Sequence, residues 1–247
     1  MSDAAGSYGE TVISAGLFFL DSAYRPVSLE KPGRERLTVD LSSFDCMTYV
    51  ETVLALAACV RSGKMNRFLF RKKLKYIRYR GGKIDGYVSR LHYFTDWLCD
   101  NGSKQMLRDD TRRLGGKACR KKIDFMTAHR DLYPALKNES EFQKLLILEK
   151  GLTRKSFHVV PREDLACLVD QIRQGDVIAF TTSQAGLDVA HAGFAFRQGR
   201  RLCLLHASSK KGAVVISRQT LLAYLKAHKK FTGVIVARPL SPDGESA

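Results

Sequence analysis

The chain has 247 residues, 45% of them apolar, which is enough to bury a substantial core. Lys plus Arg number 41 against 25 acids, a formal net charge of +16; this favours an anionic partner, and charge alone does not choose among nucleic acid, an acidic membrane surface and an acidic polymer. The six cysteines show no C-x-x-C pair, and a single C-x-x-H spacing, Cys203 to His206, is too little for a zinc site built on local motifs; the irregular spacings also argue against a disulfide framework, so no metal or other cofactor is expected.

The N-terminus, "MSDAAGSYGETVISAGLFFLDSAY", lacks a basic n-region and a clear cleavage site, and its apolar run at residues 15–20 is far too short to span a bilayer. A soluble chain is expected. Residues 10–21 predict a short helix, followed by a loop punctuated by Pro and Gly, "YRPVSLEKPGRERL". In "LSSFDCMTYVETVLALAACV", residues 41–60, Cys46, Val50, Val53, Leu54 and Ala57 recur at spacings of three and four and so share one inward helical face. Cys46 opens that face. Ser42, Ser43 and Asp45 are candidate caps just upstream, which places the thiol in the first turn, where unpaired N–H groups and the helix dipole favour a thiolate. A nucleophile and an inert buried cysteine both suit that position. Cys59, Cys167 and Cys203 lie in apolar runs and are expected to be small core residues.

Residues 61–83, "RSGKMNRFLFRKKLKYIRYRGGK", contain ten basic residues and no acid, with Phe70, Leu74 and Ile77 on one helical face. A core-packed helix with a solvated basic outer face explains this stretch, and so does an anion-binding surface; the first is the commoner case. "GYVSRLHYFTDWLCDNG", "FMTAHRDLYPALKN" and "ESEFQKLLILEKGL" follow, all helix-like in period. From Phe157 the texture turns to β: "SFHVVP", "GDVIAFTT", "VAHAGFAF", "RLCLLHAS" and "AVVISR" are short β-branched and aromatic runs separated by turn signals. A helix at residues 218–228 precedes a last strand, "FTGVIVAR", and residues 241–247 read as a disordered tail. Helices first and antiparallel strands afterwards indicate an α+β fold, a single domain over residues 1–240 with a helical insertion at about 61–155.

A cysteine nucleophile needs a base and a group that orients it. Among six histidines, His228 is flanked by lysines and is expected to face solvent, His92 and His129 fall on predicted helices beside aromatics, and His158 opens a strand. His191 and His206 differ. They lie on consecutive strands joined by "RQGRR", a hairpin that sets both imidazoles side by side. Gly193 and Ala195 share a face with His191, and small residues there leave room for the Cys46 helix to approach. Spacing alone leaves both a Cys46, His191, His206 triad and structural histidines open.

"FDCMTYVE", "QGDVIAF", "HAGFAF" and "LLHASSKKGAVV", in this order, resemble the NlpC-type superfamily of papain-like cysteine peptidases that cut bacterial cell-wall peptides. The resemblance implies a papain-like fold in which a nucleophile helix packs on a C-terminal antiparallel sheet. Carried over by position, Cys46 becomes the nucleophile, His191 the general base and His206 the orienting group. The longer signatures at residues 44–57, 90–97 and 206–208 are similar to an N-acetylmuramoyl-L-alanine amidase-like branch, and the likeness runs from about Leu17 to Arg238. That branch implies hydrolysis of the amide between the muramic acid lactyl group and L-alanine in peptidoglycan fragments, in the periplasm or outside the cell, with no nucleic-acid partner and an anionic envelope surface suiting the charge. Asp45 is a candidate for capping or substrate positioning, Arg90, His92, Tyr93 and Asp96 for the insertion side of the cleft, and Ser208 belongs to the "HAS" signature. Met47 and Thr48 stand where many superfamily members carry Ser-Gly, and the usual Trp-Gly-Gly segment is missing, leaving Tyr24 as its counterpart. These departures count against the rival γ-D-glutamyl-diamino acid endopeptidase specificity. The other rivals are a secreted papain-like effector protease, deamidase or acyltransferase, and a binding module acting through residues 61–83.

Overall fold

The computed structural model describes residues 6–31 and 33–242. In chain order the elements are α1 (Tyr8–Leu17), β1 (Ala23–Tyr24), β2 (Ser43–Phe44), α2 (Cys46–Arg61), α3 (Arg67–Arg78), α4 (Phe94–Ser103), β3 (Leu107–Asp109), β4 (Lys117–Cys119), α5 (Phe125–Ala128) and α6 (Glu139–Arg154). Then come β5 (Phe157–Pro161), β6 (Val177–Thr182), β7 (Val189–Gln198), β8 (Arg201–Ser208), β9 (Ala213–Ile216), α7 (Leu221–Ala227) and β10 (Phe231–Pro239). The fold is mixed α+β around one large sheet of order β2-β1-β9-β8-β7-β6-β10-β5-β4, with β3 on β10.

The sheet is not confined to the C-terminal half, as the sequence predicted. β1 and β2 pair in parallel and join the β9 edge, while β3 and β4 of the insertion pair with β10 and β5. Two- and three-residue strands carry almost no periodic signal, so only their partners reveal them. The predicted helix over "FMTAHRDLYPALKN" is the short α5 plus two 3₁₀ turns; Pro134 has no N–H to continue a helix and starts the second turn instead. Cys167 is exposed in a 3₁₀ turn rather than buried, whereas Cys59 and Cys203 are core residues. Of the predicted tail, residues 243–247 lie outside the described ones. No described helix is long and apolar enough to cross a membrane.

Helix α2 is buried nearly all round, with Tyr49, Val50, Val53, Ala55 and Ala57 fully removed from solvent, and each larger apolar side chain among them contributes roughly 1.5–3 kcal/mol. It packs with α1 on one face of the sheet, against Ala192, Phe194, Leu205 and Val214. The contact with α1 is close because of Gly16: a Cβ there would lie 2.8 Å from the Tyr49 hydroxyl, which donates to the Gly16 carbonyl at 3.1 Å. The opposite face holds a second cluster of Ile178, Phe180, Leu204, Leu221 and Phe231. The insertion has its own apolar centre around Tyr93, Met126, Leu136 and Leu145. Asp188, at the foot of β7, ties insertion to sheet by accepting hydrogen bonds from the Thr95 N–H and hydroxyl, both at 2.8 Å.

Candidate active site

Asp45 is the cap of α2. Its carboxylate accepts from the Thr48 N–H at 2.8 Å, and the Thr48 hydroxyl accepts from the Asp45 N–H at 2.9 Å, a reciprocal capping box. Ser42 and Ser43 instead hydrogen-bond to Asp40. The cap fixes where Cys46 sits, half-buried, with the N–H groups of Ala192, Met47 and Cys46 itself directed at its sulfur. Burial, and then the adjacent Asp45 charge, nevertheless push the thiol up to about 12, and the three N–H groups only partly offset this. The expected helix-start thiolate is therefore not the resting form: desolvation outweighs the dipole, and Cys46 is a thiol.

His191 pairs with Phe180 of β6, one residue before the Ala192 N–H that reaches Cys46. Its Nε2 lies 2.7 Å from His206 Nδ1, and the two rings meet edge to face at 83°. β7 and β8 form the predicted hairpin. Burial drives His191 down to about 3, with the His206 and His228 charges adding to the effect; burial likewise drives His206 down to about 4, with His228 adding. Both imidazoles are neutral near pH 7, as a proton acceptor must be. The small residues of β7 act differently from the expectation. Ala192 and Phe194 face α2, while Gly193 makes room for His206: a Cβ at Gly193 would lie 2.7 Å from the His206 Cβ and 2.8 Å from the Leu205 carbonyl oxygen.

An aromatic wall backs the histidines. Phe180 stacks on His191, and Tyr224 of α7 lies 5.3 Å from His206 and 6.2 Å from His191. Tyr224 was missed in the sequence; its spacing of four to His228 on a short helix is the signal that could have found it. His228 does not simply face solvent, since its ring stacks on Phe231 and lies tilted at 37° against Tyr224, and its Nδ1 is 2.8 Å from the Tyr224 carbonyl oxygen. Burial pushes the Tyr224 hydroxyl up to about 12, and the nearby Cys46 charge contributes. Tyr24, in β1, stands on the other flank: it pairs with Phe44 just before the cap, and burial, with the Cys46 and Asp45 charges adding, pushes its hydroxyl up to about 12 as well.

The chain has relatives among known proteins. Residues 14–234 match the AmiA-like family, described as N-acetylmuramoyl-L-alanine amidase-like. The chain belongs to that family. An N-acetylmuramoyl-L-alanine amidase from Bacteroides uniformis has a crystal structure with TM-score 0.91 and 38% sequence identity, covering 96% of this chain and 100% of its own. A Bacteroides fragilis protein described provisionally as a xylanase superposes with TM-score 0.86 at 39% identity over 91% of this chain and 99% of its own. A Legionella pneumophila protein does so with TM-score 0.72 at 25% identity, over 95% of this chain and 90% of its own. No curated protein matches the sequence.

In this AmiA-like chain a cleft of about 320 Å³ opens beside the cap, lined among others by Asp45, Met47, Arg90, His92, Tyr93 and Tyr133. Arg90 to Tyr93 are not helical as predicted: they form the extended approach to α4, with Tyr93 as its N-cap residue, so helical spacing does not decide where they point. Arg90 is buried against Glu30 at 2.8 Å and Glu35 at 3.3 Å. His92 Nε2 is 3.0 Å from the Tyr87 carbonyl oxygen, and Tyr93 donates to Glu149 at 2.7 Å. Asp96 does not line the cleft; one helical turn on, it is held by Arg80 through contacts of 3.0 and 2.6 Å. Ser208 is buried at the end of β8, where its hydroxyl accepts from the Lys211 N–H at 3.2 Å and shapes the turn into β9. The Glu30, Glu35 and Glu51–Arg78 partners were not singled out in the sequence, since charged residues in a loop and on a helix look solvent-facing until their partners are known. Among the described residues no group of three or more His, Cys, Asp or Glu is placed to hold a metal ion.

Proposed function

We propose that this protein is a cysteine-dependent N-acetylmuramoyl-L-alanine amidase with a papain-like, NlpC-type catalytic core in a single domain over residues 1–240, acting outside the cytoplasm on peptidoglycan fragments. The observation that carries this reading is the relay beside Cys46. His191 commits Nε2 to His206 at 2.7 Å, and the next residue's N–H is directed at the Cys46 sulfur. With His191 Nε2–H donating to His206, Nδ1 keeps a lone pair, which makes it the base.

In the reaction His191 Nδ1 takes the Cys46 proton as sulfur attacks the lactyl carbonyl carbon, and the Cys46 N–H at the helix start stabilises the oxyanion. The imidazolium then gives its proton to the alanine nitrogen as the C–N bond breaks. Water adds to the muramoyl thioester, His191 accepts its proton, and that proton returns to sulfur as the thioester C–S bond breaks. With the thiol near 12 and His191 near 3, proton transfer in the empty site is strongly uphill, so it is coupled to carbonyl attack. Tyr24 and Tyr224 flank the nucleophile, and Arg90, His92 and Tyr93 line the cleft that receives substrate.

The xylanase description of the Bacteroides fragilis relative has less support here. A glycosidase works with two carboxyl groups flanking the bond, whereas Glu30 and Glu51 of this cleft are both committed to arginines, at 2.8 and 2.6 Å. Mass spectrometry of defined muropeptides incubated with the protein and with Cys46→Ala tests the proposal. Release of an intact L-alanine-led peptide by the unmodified protein alone is expected; cleavage deeper in the peptide would reassign the bond, and cleavage by Cys46→Ala would remove the nucleophile.

A further inference from the structure

We propose that the groove between α1, α2 and α3, together with the outer face of α3, docks on an anionic phospholipid bilayer. Of the ten basic residues in 61–83, Arg78 and Arg80 are used inside the fold, paired with Glu51 and Asp96. On the outer side of α3, Phe68, Arg71, Lys72 and Tyr76 recur at spacings of three, one and four and are all exposed, so one solvent-facing stripe carries both cations and aromatic rings. Lys64, Arg67 and Lys75 extend the basic character. Among the described residues no ion pair engages Lys64, Arg67, Arg71, Lys72 or Lys75.

Beside the stripe lies a groove of about 1030 Å³ whose walls include Phe18, Leu41, Leu56, Val60, Met65 and Phe70. It is roughly three times the volume of the cleft beside Cys46. Phe18 and Phe68 are 78% and 79% exposed, and Met65 is 61% exposed; side chains of this size gain free energy once something apolar covers them. Cations alone would suit any polyanion. Exposed Phe rings also stack on bases, but Leu41, Leu56, Val60 and Met65 have no ring to stack on a base or sugar, whereas acyl chains fill such a groove while headgroup phosphates meet Lys64, Arg67, Arg71 and Lys72. Val60 and Cys46 are 60 − 46 = 14 residues apart on α2, about 21 Å along its axis, so this surface and the cleft beside the cysteine are separate. Docking here would hold the enzyme at a membrane with its cleft free.

Co-sedimentation of the full chain with vesicles tests this, comparing phosphatidylcholine alone with phosphatidylcholine containing phosphatidylglycerol, at low and high salt. Binding only to the anionic vesicles, weakened by salt, is expected. Each basic residue near a charged surface changes partitioning about fivefold, so Arg71→Glu with Lys72→Glu should lower binding more than tenfold. Phe18→Ser with Phe68→Ser should lower it comparably, with muropeptide hydrolysis in solution unchanged in both double variants. Equal binding to both vesicle types, no binding, or binding indifferent to the phenylalanine pair would overturn the proposal. These outcomes are independent of which bond the enzyme cleaves.

Discussion

Gly193→Ala is a one-methyl perturbation aimed at the histidine pair. The new Cβ would lie 2.7 Å from the His206 Cβ, where ordinary contact begins at 3.4 Å, so His206 must recede by 3.4 − 2.7 = 0.7 Å or β7 must part from β8. Little else can yield, because the backbone oxygen of Leu205 is 2.8 Å from the same point. A shift of that size along the histidine contact would lengthen it from 2.7 Å to about 3.4 Å, outside hydrogen-bond range. His191 would then keep its place on the strand and lose the partner that fixes its tautomer and orientation. A displacement approaching 1 Å in a positioned group costs up to about 100-fold in rate, and overpacking costs about 1–3 kcal/mol of stability, or very roughly 2–12 °C in Tm at 2–4 °C per kcal/mol. The assay is kcat on a defined muropeptide beside a thermal melt. A drop in kcat of tenfold or more in a protein still folded at the assay temperature is expected; in a His206→Ala background the Cβ clash and its stability cost remain, but little further activity should be lost because the orienting ring is already gone. Gly193→Ala with unaltered kcat would refute the reasoning that glycine is required there to seat His206.

Three other outcomes follow from the charges and burial. Alkylation of Cys46 by iodoacetamide in the free protein should be slow at pH 7 and rise only in strongly alkaline solution, because burial and Asp45 hold the thiol up at about 12; a rate plateau reached below pH 7 would show a resting thiolate instead. Arg90→Met should destabilise the protein by about 3–5 kcal/mol in denaturant titration, because it leaves Glu30 and Glu35 without their buried counter-charge; a loss below 1 kcal/mol would mean that water reaches these carboxylates. The histidines also make stability pH-dependent. His191 and His206 titrate near 6.5 when unfolded but near 3 and 4 when folded, so below pH 6.5 the unfolded chain binds more protons and stability falls. The slope is up to about 1.4 kcal/mol per pH unit for each imidazole down to about pH 4. Urea unfolding between pH 7 and pH 4 should show a steeper loss in the unmodified protein than in a His191→Asn, His206→Asn double variant; parallel losses would place the acid sensitivity elsewhere.

Much of the cysteine–histidine neighbourhood is local in origin, and local features are legible in a sequence. The period of α2 and the Asp45–Thr48 capping box put Cys46 at a helix start, and the turn between Gln198 and Arg201 brings His191 and His206 together whatever the rest of the chain does. By contrast, the thiol's ionisation depends on how much protein surrounds the helix start, and burial reverses the sign expected from the dipole. The role of Gly193 appears only once His206 lies across from it, and the separation of Asp96 from Arg90, His92 and Tyr93 only once α4 is seen to begin after them. β1 and β2 are too short to show a period and exist because β9 offers an edge. The longer helices and strands, the helix start at Cys46 and the histidine hairpin were legible, since these rest on residues a few positions apart. Which charges are buried, which carboxylates meet arginines and which groups line the cleft follow from the folded packing, because desolvation and ion pairing are set by neighbours distant in the chain.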